Sequence, residues 1–372
     1  MTNKSQKLLY VHIPFCVKKC LFCSFAVTIG QAHRTDDYID ALEREALQHK
    51  GTAVRTVYLG GGTPSFLSTE QLVRLVALIK INFSVAADAE WTLEVNPEGI
   101  DAEKAKVLKG LGFTRVSLGV QSFNDAYLKF LGRVHDRMQA VEAFKILRAA
   151  GFNNVSVDLM YGFPKQTREE LQSDLKEAIA LGSEHISIYT LTIEPNSRFY
   201  ATQMKLDDEN KLGEDYTFVA NTLEKAGFAQ YEVSNFAKSG FESKHNSGYW
   251  TGIDYIGLGM GAHSFDHNRR FWNTENFMEY LSKAGTPETA MAGEEQLSQR
   301  TRFMERLVFG LRLNQGVSIP IIEKDTGFML PQETGDVIEH LIDGGFLVRE
   351  DGNIKVTSTG RLVLDDLASR LI

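Results

Sequence analysis

The chain has only three cysteines in 372 residues, and all of them fall between positions 16 and 23. An odd number in so short a stretch excludes a disulfide framework. Long apolar runs are also missing. The longest, such as Ile186–Ile193, are strand-length and far short of a membrane span. No apolar segment of a signal peptide follows the polar start, Met1–Lys7, which leads directly into a strand. Basic residues are in the minority, 40 against 48 acidic, for a net charge of −8. That balance leaves no electrostatic footprint for nucleic acid or for an anionic membrane. Clustered free thiols without an export signal suit a reducing cytoplasm.

What is present begins with Cys16-Val17-Lys18-Lys19-Cys20-Leu21-Phe22-Cys23. The spacing C-x3-C-x2-C lets one loop point three thiolates at a compact inorganic centre. A tetrahedral zinc site needs a fourth ligand, usually from a second knuckle. No second cysteine pair exists, and His12 and His33 flank the loop without a zinc spacing. An iron–sulfur cube normally takes four thiolates. Three would leave one iron open to a directly bound cofactor or substrate.

The first two-thirds alternates β-branched runs with amphipathic stretches, the pattern of βα units on a parallel sheet. Strands are predicted at Leu8–Ile13, Thr56–Leu59, Trp91–Val95, Arg115–Val120, Val155–Met160 and His185–Leu191. Helices are predicted near Asp36–His49, Thr69–Ile81, Asp101–Leu111, Asp136–Ala149, Arg168–Ala180 and Asp208–Lys225. Gly-Phe pairs at 112, 151 and 227 each close a helix, at separations of 39 and 76 residues. Such a period favours an α/β barrel or partial barrel, with an open doubly wound sheet as the runner-up. The first strand then carries the cysteine loop to the C-terminal mouth of the barrel.

The expected organisation is a barrel over 1–234, a glycine- and aromatic-rich extension over 235–293, and a helical, winged-helix-like domain over 294–372. The extension reads as long loops or irregular strands beside the barrel. The last segment shows helices at Arg300–Leu313 and within Leu330–Gly344, then a hairpin over Phe346–Val356 with Asp-Gly in its turn. Its mixed charge favours a structural or partner-docking cap over nucleic-acid binding.

Polar groups recur at strand ends. Gly60-Gly61-Gly62-Thr63-Pro64 allows close backbone approach to a ligand, or simply makes a tight loop. It lacks the Gly-Lys-Ser/Thr of a phosphate loop. Glu94, Gln121 and Asp158 interrupt otherwise buried strands, where an unpaired carboxylate is costly. They either reach solvent at a strand end or converge on a polar ligand. Arg133 is either a bidentate carboxylate partner or half of a surface salt bridge. His245-Asn246-Ser247-Gly248-Tyr249-Trp250 brings an imidazole beside two aromatics. That combination suits haem, or a hydrogen-bonded core histidine packed by two rings.

With Phe22 before its last cysteine, the loop resembles the signature of radical S-adenosylmethionine (SAM) proteins. In that superfamily three cysteines hold a [4Fe-4S] cluster whose fourth iron chelates SAM. Tyr10, Gly-Gly-Gly-Thr-Pro at 60–64, Glu-Val-Asn-Pro at 94–97, Gly-Val-Gln-Ser-Phe at 119–123 and Asp-Leu-Met-Tyr-Gly-Phe-Pro at 158–164 narrow the likeness to the HemN-like branch. The resemblance runs from Leu8 to the C-terminus. It implies a partial (β/α)6 TIM-like barrel, with Cys16, Cys20 and Cys23 as metal ligands. It also implies SAM contacts from Tyr10, Phe22, Gly61, Gly62, Thr63, Glu94, Gln121, Arg133 and Asp158.

Within the branch, coproporphyrinogen III dehydrogenases carry a long N-terminal extension and a fourth cysteine just after the cluster motif. Here the first cysteine is residue 16, and Ser24-Phe25 follows Cys23. The haem-chaperone group, HemW, carries His-Asn-x-x-Tyr-Trp, as at 245–250. That likeness implies a cytoplasmic chaperone that binds haem, with His245 contributing, and delivers it to acceptor haemoproteins. No nucleic-acid partner and no intrinsic membrane segment are expected, and a homodimer is compatible with the reading. Catalytic residues are left unassigned. The alternative is the dehydrogenase itself, which cleaves SAM with one electron and decarboxylates porphyrinogen propionates.

Overall fold

Each βα unit begins where an apolar strand ends in polar residues or glycine and a capped helix starts. The computed structural model describes residues 6–206, 209–286 and 289–372. Its first six strands are β1 (Lys7–Ile13), β2 (Thr52–Gly61), β3 (Phe83–Val95), β4 (Arg115–Gln121), β5 (Val155–Tyr161) and β6 (His185–Thr190). They pair in parallel and in chain order. With this strand order, the right-handed crossover rule for parallel strands puts the intervening helices on one face. The sheet therefore curls about its other face, whereas a doubly wound sheet would reverse its strand order. Ser68, Asp136 and Thr167 open their helices with reciprocal capping boxes, which is why the predicted helix starts fall within a residue of the observed ones. The helix predicted from Asp208 runs from Glu209 to Lys225; Asp208 itself lies outside the described residues.

The segment 235–293, expected as loops or irregular strands beside the barrel, instead extends the same sheet. Strands β7 (Ala229–Gln230) and β8 (Asn235–Ala237) add antiparallel to β6. Strand β9 (Tyr255–Leu258) pairs parallel with β1, and β10 (His263–Asp266), β11 (Arg269–Asn273) and β12 (Met291–Gln296) follow antiparallel. The result is one 12-stranded sheet in the order β12-β11-β10-β9-β1-β2-β3-β4-β5-β6-β8-β7. Ile256, Leu258, Met260 and Tyr280 join the barrel's own core. Glycine misled the expectation. A Cβ on Gly257 would lie 2.1 Å from the His263 carbonyl oxygen, so this glycine marks close strand approach rather than a loop.

The C-terminal module has a separate core that includes Phe303, Leu307, Ile338, Leu341, Leu347, Ile354 and Leu367. Helices Gln299–Gly310, Ile319–Thr326 and Gln332–Asp343 precede a hairpin, β13 (Leu347–Glu350) and β14 (Asn353–Val356). Asp351 and Gly352 both take positive φ in its turn, as the Asp-Gly pair predicts. The module docks on the barrel through Arg270, which pairs with Glu305 at 2.6 Å, and through Phe309 against Trp250.

Candidate functional site

Alternate residues of a strand face opposite sides of the sheet. Along β2–β6 the helix side is apolar, but the concave side carries Tyr58, Glu94, Ser117, Gly119, Gln121, Asp158, Ser187 and Tyr189. These residues line a cavity of about 500 Å³ that the cysteine loop also borders. Cys16, Cys20 and Cys23 all line it, with Phe22, Gly61, Gly62, Thr63 and Arg133. Eleven residues singled out in the sequence thus share one chamber.

The cysteine loop is tied to the barrel by its backbone. Cys16 N–H donates to Thr28 O at 3.1 Å, and Leu21 N–H to Leu131 O at 2.9 Å. Cys16 Sγ lies 3.5 Å from Thr63 Oγ1, and Arg133 Nη1 lies 3.5 Å from Cys20 Sγ. Burial pushes the Cys16 thiol up to about 11, and it raises Cys23 as well, each further opposed by neighbouring thiols. Two thiols so raised, Cys16 and Cys23, ionise together only against a cationic centre. Among the described residues, these sulfurs are not gathered within 4.8 Å of one another. A single tetrahedral ion with 2.3 Å metal–sulfur bonds would hold them roughly 3.8 Å apart. The donor set fits a polynuclear cluster better than a zinc ion.

The cavity wall is pre-organised. Glu94 Oε1 accepts from Tyr58 Oη at 2.7 Å, and Oε2 accepts from Gly61 N–H at 3.0 Å. Gly61 has φ +112°, and a Cβ there would sit 2.4 Å from the His12 ring, so only glycine fits. Asp158 accepts from Ser117 and Ser156 at 2.8–3.0 Å. Burial pushes Glu94 up to about 7, with the nearby Asp158 carboxylate adding to the rise. Burial also raises Asp158. Two carboxylates held above their usual range favour a cationic ligand between them. Gln121 sits at φ +69° in a register shift of β4, an unusual backbone of the kind that clusters at ligand sites.

Among the described residues Arg133 pairs with no protein carboxylate, and neutral acceptors hold its guanidinium. Its Nη2 donates to Asn96 Oδ1 and to Gly119 O, both at 2.8 Å. Asn96, part of the Glu-Val-Asn-Pro motif but given no role from sequence, also donates to Thr63 Oγ1 at 3.0 Å and links two walls. Tyr58 was missed too. The available signal was the period-two polarity of otherwise buried strands.

Tyr10 and His245 are not among the residues lining this chamber. Tyr10 bonds His12 Nδ1 at 3.0 Å and lines a second cavity of about 520 Å³. His245 is 1% exposed, with Nδ1 bonded to Thr56 Oγ1 at 2.7 Å and Nε2 to Tyr249 Oη at 2.8 Å. Burial drives its pKa down to about 3. Both ring nitrogens are engaged, which is the arrangement of a core histidine rather than of a free ligand. The helix Lys244–Trp250 that carries it borders both cavities, which also share Ser24 and Phe25. Asn246 lines the first, and Tyr249 and Trp250 line the second.

Comparison with known proteins agrees with this geometry. Residues 10–178 match the model of the radical SAM superfamily, and residues 297–363 match the HemN C-terminal domain. The heme chaperone HemW of Bacillus subtilis is 34% identical over 96% of this chain and 97% of its own length. The heme chaperone HemW of Lactococcus lactis is 35% identical over the same shares. The structure of coproporphyrinogen III oxidase (HemN) from Escherichia coli, a radical SAM enzyme, superposes with a TM-score of 0.87 at 26% identity, over 99% of this chain and 90% of that one. Sustained over nearly the full length, these likenesses make the protein a member of the HemW family within the radical SAM superfamily.

Proposed function

We propose that the protein is a haem chaperone of the cytoplasm, which binds haem and passes it to acceptor haemoproteins. The observation that carries this reading is the 34% identity to the Bacillus subtilis heme chaperone across 96% of the chain. Cys16, Cys20 and Cys23 would hold a [4Fe-4S] cluster, and Glu94, Gln121, Arg133, Asp158 and the Gly61–Thr63 turn would receive SAM. Bound there, the cluster supplies one-electron chemistry and an iron site open to SAM. The chain's own residues do the rest: Arg133 and Thr63 polarise the thiolates, Glu94 and Asp158 offer negative charge, and the loop screens the chamber from water.

The test is an anaerobic pair of assays on cluster-reconstituted protein. In one, haem-loaded protein is mixed with an apo-haemoprotein and transfer is followed by absorbance. In the other, coproporphyrinogen III, SAM and a reductant are supplied, and protoporphyrinogen and 5′-deoxyadenosine are quantified. Transfer without decarboxylated product is the expected result. Stoichiometric protoporphyrinogen and 5′-deoxyadenosine would overturn the reading and make the protein a dehydrogenase like its HemN neighbour.

A further inference from the structure

The second cavity, about 520 Å³, adjoins the cysteine chamber, sharing Ser24 and Phe25 with it, and is lined by Tyr249 and Trp250 of the helix Lys244–Trp250. Its size falls within the usual range for small-molecule sites, roughly 300–1,000 Å³. Its walls come from parts of the chain that meet only in the fold: β1, the end of the cysteine loop, the helix Lys244–Trp250, the β9–β10 segment with Glu275 beyond it, and the first helix of the C-terminal module. Aromatic side chains dominate, with Phe25, Tyr249, Trp250, Tyr255 and Phe309 all facing it. Phe25 is 63% exposed and Phe309 is 40% exposed, an unusual outlay of apolar surface at a cavity rim.

Three histidines stand in or beside this cavity, and they differ in what their nitrogens do. His12 bonds Tyr10 and Ala26 O, and His245 bonds Thr56 and Tyr249. His263 lines the cavity with its ring stacked on Trp272, centroids 5.6 Å apart, and neither ring nitrogen has a hydrogen-bond partner among the described residues. Burial and Arg270 lower its pKa, so its imidazole is neutral near pH 7, the form that binds metals. Among the described residues, Trp250 Nε1 is buried without an acceptor; behind its ring stacks the guanidinium of Arg312, 4.7 Å from the ring centroid and paired with Asp365 at 4.0 Å.

We propose that this second cavity is the haem site, with His263 as the axial ligand to iron and the rings of Phe25, Tyr249, Trp250 and Phe309 packing on the porphyrin. The inference rests on the haem-chaperone reading and gives it a location. Aromatic walls suit an apolar tetrapyrrole, and the imidazole of His263 supplies the iron ligand. His245 is then a positioning residue that fixes Tyr249 through its hydroxyl and does not touch the iron.

The test is haem titration of the full-length, cluster-loaded protein and of two variants, His263→Gly and Phe309→Asp, read by the Soret band. Both substitutions fall at exposed positions, and iron content with SAM binding reports that the fold is retained. The expected result is a tenfold or greater loss of haem affinity in each, with added imidazole restoring the native band in His263→Gly. Unchanged affinity and spectrum in His263→Gly would overturn the proposed site while leaving the chaperone reading intact. Failure of the unaltered protein to bind haem at all would overturn that reading as well.

Discussion

At the scale of single residues, Glu94 joins the chamber's electrostatics to measurable stability. Its carboxyl is pushed up to about 7 from an ordinary 4.5, mainly by burial. Between those values the folded chain keeps a proton at Glu94 that the unfolded chain releases, so raising the pH through this window lowers stability. In protein free of SAM, Glu94→Gln should therefore raise Tm at pH 8 and leave it nearly unchanged at pH 5, as read by calorimetry at both values. An equal shift at both would show that Glu94 is not held protonated. SAM affinity of the unaltered protein should rise from pH 6 to pH 8 as Glu94 ionises, and this dependence should vanish in the variant. Any of the three cysteines changed to serine should remove iron and acid-labile sulfide without unfolding the chain, since folding ties the loop through backbone bonds rather than thiols. The cysteines were legible in the sequence because three ligands within one loop need no knowledge of the fold. Asn96 was not. Its role depends on Thr63 and Arg133 arriving from other strands, a meeting that no local spacing records.

At the scale of elements, the helix Lys244–Trp250 is too short to hold itself together, and tertiary contacts do the work. Ser243 caps it, accepting from Asn246 N–H, and the Glu90 carboxylate of β3 accepts from the N–H groups of Lys244 and His245 at 3.1 and 3.0 Å. A carboxylate at a helix N-terminus also meets the positive end of its dipole. Glu90→Ala leaves those buried donors unpaired and should cost about 1–3 kcal/mol in denaturant unfolding. A loss below 0.5 kcal/mol would mean that the helix is held by its aromatic contacts alone. The same element shows why the surroundings of His245 could not be read from the sequence. Positions four apart share a helix face, so His245 and Tyr249 bond to each other. Sequence placed an imidazole beside two rings but carried no sign of which way it faced. Strands β9–β12 were hidden for a related reason: their glycines serve close packing, and β9 finds its parallel partner, β1, more than 200 residues earlier in the chain.

At the scale of the whole molecule, two cores are joined across a half-exposed contact, and Arg270 with Glu305 is its best-formed ion pair. A double-mutant cycle on this pair should give a coupling of about 1 kcal/mol that shrinks in high salt. Hydrogen exchange in the helix Gln299–Gly310 should quicken in Arg270→Ala. No change there would place the docking energy in Phe309 and Trp250 instead. The sheet itself has a further consequence. A linear order of strands leaves two ends, and an unpaired strand end is a template on which another chain can grow. At one end, β7 is only two residues long, and Asn314 of the C-terminal module bonds to the carbonyl of Gln230. At the other, β12 presents Glu294 and Glu295, matched to Arg269 and Arg270 of β11. Valine at both glutamate positions should leave the chain folded yet drive edge-to-edge association, visible as growing particle size in light scattering. One border of the open barrel is thus met by its own module, and the other is electrified.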